Sequence, residues 1–157
     1  MRRTDRKVTA FTEIVEIMKE CDVCRIGFAV GNEAYIVPLN FGLKLEFGRL
    51  TLYFHCAAAG RKLELMRRNP RVCFEMDRAH RLITGSMACQ YSMEYESVMG
   101  EGKLELIQQA EGKRRGLECI MEHYEKGQRF SFDNAQLERV EVLKLTVDSL
   151  SGKRARR

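Results

Sequence analysis

An antiparallel β-sheet closed into a barrel, with a few helices packed on it, is the fold that this sequence predicts, and three observations predict it. The strand-like stretches alternate apolar and polar residues and arrive mostly as hairpins, without the strand-helix-strand rhythm of a parallel sheet. Turn residues punctuate them, as in Gly31-Asn32-Glu33 and Glu46-Phe47-Gly48-Arg49. No internal repeat or low-complexity linker divides the chain, and 157 residues suit one domain over 1–157 with a sizeable core.

Taken in order, Thr9 can cap a helix whose Phe11, Ile14, Val15 and Met18 share one face and which ends near Cys21-Asp22. Val23 to Val30 alternates as a strand and turns through Gly31-Asn32-Glu33 into a second, Ala34 to Gly42. In that second strand Tyr35, Val37, Leu39 and Phe41 share a face, and Ile36, Pro38 and Asn40 share the other. Pro38 has no N–H for a ladder, so its strand lies at an edge, at a bulge or beside a ligand.

Leu50, Leu52 and Phe54 then point one way and Thr51, Tyr53 and His55 the other. A small-residue turn ends in Gly60, and a short helix opens with Arg61-Lys62 and stops at Asn69-Pro70. Arg71 to Met76 forms another strand, whereas residues 77–92 show no clean period. From Tyr95 to Ile107 the strand pattern returns, and Gly100 and Gly102 within it predict a bend, a bulge or the close approach of another backbone or a ligand. Leu117, Ile120, Met121 and Tyr124 mark a helix over roughly 110–126. The last strand, Arg139 to Val147, changes phase between Val142 and Leu143, which predicts a bulge there.

The net charge of +5 invites a nucleic-acid reading, but its placement argues otherwise. Residues 1–8 carry +3 and residues 151–157 carry +4, leaving the body at about −2. The basic character belongs to two ends that are expected to be flexible, so no specific nucleic-acid partner is expected. No apolar run reaches membrane-spanning length, and the basic start leads into an amphipathic helix, so a soluble, cytoplasmic protein is expected.

Six cysteines in such a chain read as thiols rather than disulfides. Cys21 and Cys24 are the only close pair, no second pair completes a zinc site, and His55, His80 and His123 sit at no ligand spacing. No metal is expected.

The stretch from Leu50 to Pro70 carries the strongest local chemistry. Gly60 lets the backbone approach a ligand, the first helical amides lack intrahelical partners, and Arg61 and Lys62 add positive charge. A phosphate fits there; equally, the two cations of an ordinary strand-turn-helix can simply be solvated.

Four motifs stand in a recognisable order: Tyr35-Ile36-Val37-Pro38-Leu39-Asn40-Phe41, Tyr53-Phe54-His55-Cys56-Ala57, Gly60-Arg61-Lys62 with Asn69-Pro70, and Tyr95-Glu96-Ser97-Val98-Met99-Gly100. In these the chain resembles the pyridoxamine-phosphate-oxidase-like flavoproteins, in the branch that includes nitroimidazole-resistance proteins. The resemblance implies a split β-barrel, FMN as cofactor, and a homodimer with its flavins at the interface. It implies that Arg61 and Lys62 grip the FMN phosphate and that Val37, Pro38, Leu39 and Asn40 run beside the isoalloxazine. His55 would stand near the flavin, as a proton donor, a substrate contact or only a ring contact, and Ser97 would reach the flavin from the other subunit. The chain has no tryptophan and lacks the arginine-rich ending of the vitamin B6 oxidases, so that activity is not expected. The implied function is reduction of a small, nitroaromatic-like electrophile through the flavin. The alternatives are a non-catalytic flavin- or haem-binding protein on the same fold and weak RNA or membrane contact through the basic ends.

Overall fold

A computed structural model of the chain describes residues 3–156; what the sequence predicts for Met1, Arg2 and Arg157 lies outside the described residues. The elements follow in the order β1 (Lys7–Val8), α1 (Phe11–Lys19), β2 (Cys24–Val30), β3 (Glu33–Leu39), β4 (Gly42–Glu46), β5 (Arg49–Cys56), α2 (Arg61–Arg68), β6 (Arg71–Ile83), β7 (Ser92–Leu106), α3 (Ala110–Tyr124), α4 (Asn134–Glu138) and β8 (Glu141–Ala155). All strand pairings are antiparallel, in the order β3-β2-β6-β7-β8-β5-β4, with β1 added beside the end of β8. The predicted antiparallel split-barrel class holds, but the ring is not closed: β3 and β4 are the two ends of the sheet. Pro38 therefore lies on an edge strand, where its missing N–H costs no ladder bond.

The coiled sheet wraps a core of Ile26, Phe28, Leu52, Phe54, Phe74 and Leu104, and α1 closes over it with Ile14, Val15, Ile17 and Met18. Leu50, Leu52 and Phe54 face inward, as their alternation predicts. Ala10 rather than Thr9 caps α1, and no side chain bonds its first amides. A second, smaller cluster joins α3, α4 and β8 through Leu117, Ile120, Leu137 and Val142.

That second cluster explains the phase change in the last strand. Val142 and Leu143 are both buried because β8 has apolar cover on both faces there, and its pairing with β5 runs without interruption from Glu141 to Thr146. The bulge falls elsewhere, at Asp148, between the pairs Glu101–Ser149 and Gly102–Val147. A Cβ on Gly102 would lie 2.2 Å from the Thr146 carbonyl oxygen, so the close backbone approach predicted for this glycine is real. Gly102→Val should destabilise the fold by about 2–3 kcal/mol, read as a lowered urea midpoint.

Three further features differ from expectation. The strand predicted to run through Gly42 breaks at Asn40-Phe41, and a separate strand, β4, follows it. Residues 77–92 form the outer part of one long β6–β7 hairpin, with a register shift between Arg78 and Arg81 where Ala79 adopts φ 57°. Leu82 and Met93 pair there while remaining exposed, so neither face needs the apolar alternation by which a strand is recognised. Finally, Ser151 to Ala155 is not a flexible end. These residues complete β8 between β7 and β1, because Gly152 is small enough to sit against Ile14 and Val8 and Arg154 is held by Glu13 and Glu96.

Among the described residues no helix is long and apolar enough to cross a membrane, and no cluster of three or more potential ligands could hold a metal ion.

Candidate functional site

Gly60 is the N-cap of α2 and adopts φ 141°, a conformation that L side chains rarely reach. The first closed turn runs from Leu63 N to the Gly60 carbonyl. Arg61 and Lys62 precede that bond, so their amides are the unpaired donors that a helix start offers to an anion. Leu63, Leu65 and Met66 anchor the helix to the core, leaving Arg61 exposed and Lys62 half-buried.

The Arg61 guanidinium lies 4.5 Å over the Tyr35 ring, which ties the start of α2 to the free-edge strand β3. Tyr35, Val37 and Leu39 are half-buried against the core, Pro38 is exposed on the outer face opposite Arg25, and exposed Asn40 follows the last residue of β3. The structure thus brings the predicted phosphate clamp and the predicted ring-bordering strand to the same edge of the sheet. Burial pushes the Cys56 thiol at the end of β5 up, and the Lys62 charge partly offsets this. His55 stands next to Cys56, exposed and opposite Val142, on the face of Thr51 and Tyr53.

Ser97 is the residue that the single chain does not bring there. It lies half-buried in β7 between Asp77 and Lys153, three strands from β3 in the sheet order. The strand alternation puts it on the same outer face as Pro38, Ile36 and Met99, the last two exposed by 61% and 58%.

Two contributors were missed in the sequence. Tyr35 was visible only as a strand residue, and its contact with Arg61 joins two elements that are separate in the sequence. The second is a clamp at the end of β3. Tyr124 Oη accepts from Phe41 N at 3.1 Å and donates to the Asp22 carbonyl at 2.7 Å, while the His123 ring packs at 4.2 Å from that of Phe41 and its Nε2 donates to the Cys21 carbonyl at 2.8 Å. Tyr124 and His123 thereby hold the segment that follows Asn40; the helical spacing had placed Tyr124 only in a packing stripe and gave His123 no role.

A cavity of about 940 Å³ lies elsewhere, between α1, β4 and α3, and touches none of the predicted residues. Its walls carry Lys19, Lys44, Arg115, Lys126 and Arg129 against Glu16, Glu20, Glu118 and Glu122, a near balance of charge. Burial pushes the thiol of Cys119, in its wall, up to about 11, which disfavours the thiolate. The convergence of donors at α2 and β3 is the stronger chemical feature, although it is an open edge rather than an enclosed pocket.

Comparison with known proteins gives the family and the fold. Among curated proteins the sequence finds no match. The crystal structure of a proposed 5-nitroimidazole antibiotic resistance protein from Bacteroides thetaiotaomicron superposes with a TM-score of 0.81 at 36% identity, covering 94% of this chain and 85% of that one. The flavocytochrome Anf3 of Azotobacter vinelandii shares the fold at 18% identity, with a TM-score of 0.81 over 100% of this chain and 72% of its own. An FAD-binding protein of Mesorhizobium loti does so at 21% identity, with a TM-score of 0.66 over 96% and 98% of the two chains. The sequence profile of the pyridoxamine 5'-phosphate oxidase family matches residues 11–154, from α1 to the end of β8, and the chain belongs to that family.

Proposed function

We propose that the protein is an FMN-binding oxidoreductase that reduces a small, nitroaromatic-like electrophile, and that it works as a homodimer. The observation that carries this reading is the meeting of the Arg61-Lys62 helix start with the free edge of β3. FMN is a phosphate dianion joined to a planar ring, so it calls for cationic donors at one end and unpaired strand backbone at the other. The relative that is 36% identical supports the substrate class through its proposed link to 5-nitroimidazole resistance.

In this reading Arg61, Lys62 and the first amides of α2 bind the phosphate, and Val37, Pro38, Leu39 and Asn40 border the ring. His55 orients the substrate or holds a proton for it at an exposed imidazole. When bound, the flavin supplies hydride transfer. The outer face that carries Ile36, Pro38, Ser97 and Met99 is the surface through which a second chain completes the site, and its exposed apolar side chains support that assignment.

The test is an absorption spectrum of the purified protein after gel filtration, with and without added FMN. Retained flavin bands and a dimeric mass by light scattering are the expected results. Retention of haem or a deazaflavin in place of FMN would overturn the cofactor assignment. Turnover of reduced nicotinamide with a nitroaromatic should accompany FMN binding and fall in His55→Ala while the flavin stays bound; bound flavin without turnover would leave a binding protein.

A further inference from the structure

The two free edges of the sheet differ. β3 carries Pro38, which has no N–H to offer, whereas β4 has no proline between Gly42 and Glu46. Phe47 and Gly48 both take positive φ, 51° and 75°, so the β4–β5 connection is a two-residue type I′ turn. In such a hairpin Glu46 exchanges its backbone hydrogen bonds with Arg49, and by alternation Lys44 and Gly42 do so with Thr51 and Tyr53. The N–H and C=O groups of Leu43 and Leu45 therefore point away from β5, and among the described residues no protein group bonds them. Phe41, next in the same phase, has its N–H taken by Tyr124 Oη.

The cavity of about 940 Å³ lies along this edge. Both Leu43 and Lys44 line it, and neighbours in a strand point to opposite faces, so it runs beside the strand rather than over one face. Leu43 packs with the core that α1 closes. On the other face, a Cβ on Gly42 would lie 2.5 Å from the Cys119 backbone of α3. The edge is thus the floor of a trough walled by two helices, which admits one strand and keeps a second sheet away.

The walls select the charge of what enters. Glu16 holds Lys19 at 2.8 Å, Glu20 reaches Lys126 at 4.0 Å, and Glu122 accepts the Gly127 N–H at 3.4 Å. Lys44 is paired with Glu46 at 3.0 Å. This leaves Glu118 against two guanidinium groups, Arg115 and Arg129, neither of which has a carboxylate at ion-pair distance among the described residues. Half-buried Cys119 and Phe130 add apolar surface between the charges.

We infer that the trough docks an extended segment of a partner protein, which adds as a strand to β4 and carries an acidic residue for Arg115 and Arg129. A ligand must both donate and accept at strand spacing to satisfy Leu43 and Leu45, and a peptide backbone does so. Alternate side chains of the guest then face α1 and α3, with apolar ones toward Leu43. The five-residue edge accommodates about 16 Å of such a chain. The site shares no residue with the anion site at α2 and β3, so neither reading depends on the other.

The test titrates the full chain with a blocked, fluorescent hexapeptide of alternating valine and glutamate. Saturable binding is expected, with hydrogen exchange at the Leu43 and Leu45 amides slowed at least about tenfold by the peptide. Arg115→Glu, at an exposed side chain, should weaken this peptide at least about tenfold and strengthen its valine–lysine counterpart, an exchange of preference that misfolding does not produce. Of two peptides N-methylated at alternate residues, the one blocked in the phase facing β4 should fail to bind and the other should bind. No binding up to millimolar peptide, equal binding of the valine–lysine peptide by the parent, or equal binding of both N-methylated peptides would each overturn the inference. So would Leu43 and Leu45 amides already protected in the free protein in proportion to its concentration, which would give the edge to a second copy of this chain. Free glutamate binding as tightly as the peptide would reduce the trough to a small-anion site and overturn it equally.

Discussion

Arg61→Ala with Lys62→Ala should abolish retention of FMN through gel filtration, with an affinity loss of roughly 10² to 10⁴. Hydrogen bonds to charged groups contribute about 1.5–3 kcal/mol each, and the pair removes two such donors from one dianion. The fold should survive, because α2 is anchored by Leu63, Leu65 and Met66 rather than by its two exposed or half-buried cations. Its loss is confined to the Arg61 contact with Tyr35, about 0.5–1 kcal/mol at an exposed site. Fluorescence titration of FMN with each single variant separates the two side chains, and a bidentate guanidinium makes Arg61→Lys the milder change than Arg61→Ala. Unchanged FMN affinity in the double variant would remove the phosphate clamp from α2 and, with it, the proposed orientation of the ring along β3.

Glu96→Ala should be the most destabilising single change at the other end of the barrel. The carboxylate is the one buried charged side chain among the described residues, and its removal leaves Arg78, Arg154 and Arg156 facing one another. Breaking a buried ion pair from one side costs about 3 kcal/mol at the low end, which is appropriate because the arginines can turn to water. In a domain of this length that is about 6–12 °C in melting temperature.

Burial by itself pushes the Glu96 carboxyl up, but the hydrogen bond and charge of Arg154, with the charges of Arg156 and Arg78, outweigh it and hold the group below its ordinary value of 4.5. A carboxyl depressed in the folded state contributes stability that is fully present above its unfolded value and is lost as pH falls through the folded one. The parent should therefore lose stability below about pH 4.5, and Glu96→Gln should flatten that acid limb while lowering stability at neutral pH. Thermal melts across pH 3–7 measure both, on the order of a few degrees. An acid limb of equal depth in the glutamine variant would assign it to other carboxylates.

Much of the architecture was legible because local patterns agreed with it. The inward alternation of Leu50, Leu52 and Phe54, the face of α1, and Pro38 at an edge each follow from side-chain period or a missing N–H. The helix start at Gly60-Arg61-Lys62 was equally plain, since a positive-φ residue followed by two cations is a local signal. The elements that escaped notice lacked such a signal or carried a misleading one. The outer part of the β6–β7 hairpin is exposed around Leu82 and Met93, so no face needed to alternate. α4 is only five residues long, although Asp133 and Gln136 formed a capping box that could have located it. In β8 the burial of both Val142 and Leu143 imitated a bulge, while the true one at Asp148 left no mark in the apolar pattern.

By itself, then, the sequence determined what local geometry and charge count can decide: an antiparallel sheet with helices, an anion-ready helix start, and a basic excess confined to two ends. Only the tertiary structure decided which separated groups meet. Tyr35 reaches Arg61, Tyr124 reaches Phe41, and Lys7 faces Lys153 through long-range packing and strand register, which no local period encodes. The basic ends show the difference most clearly. As sequence they are two tails with a solubilising charge; as structure they are neighbouring strands with Lys7 opposite Lys153, because β8 runs on to Ala155 instead of stopping at Val147.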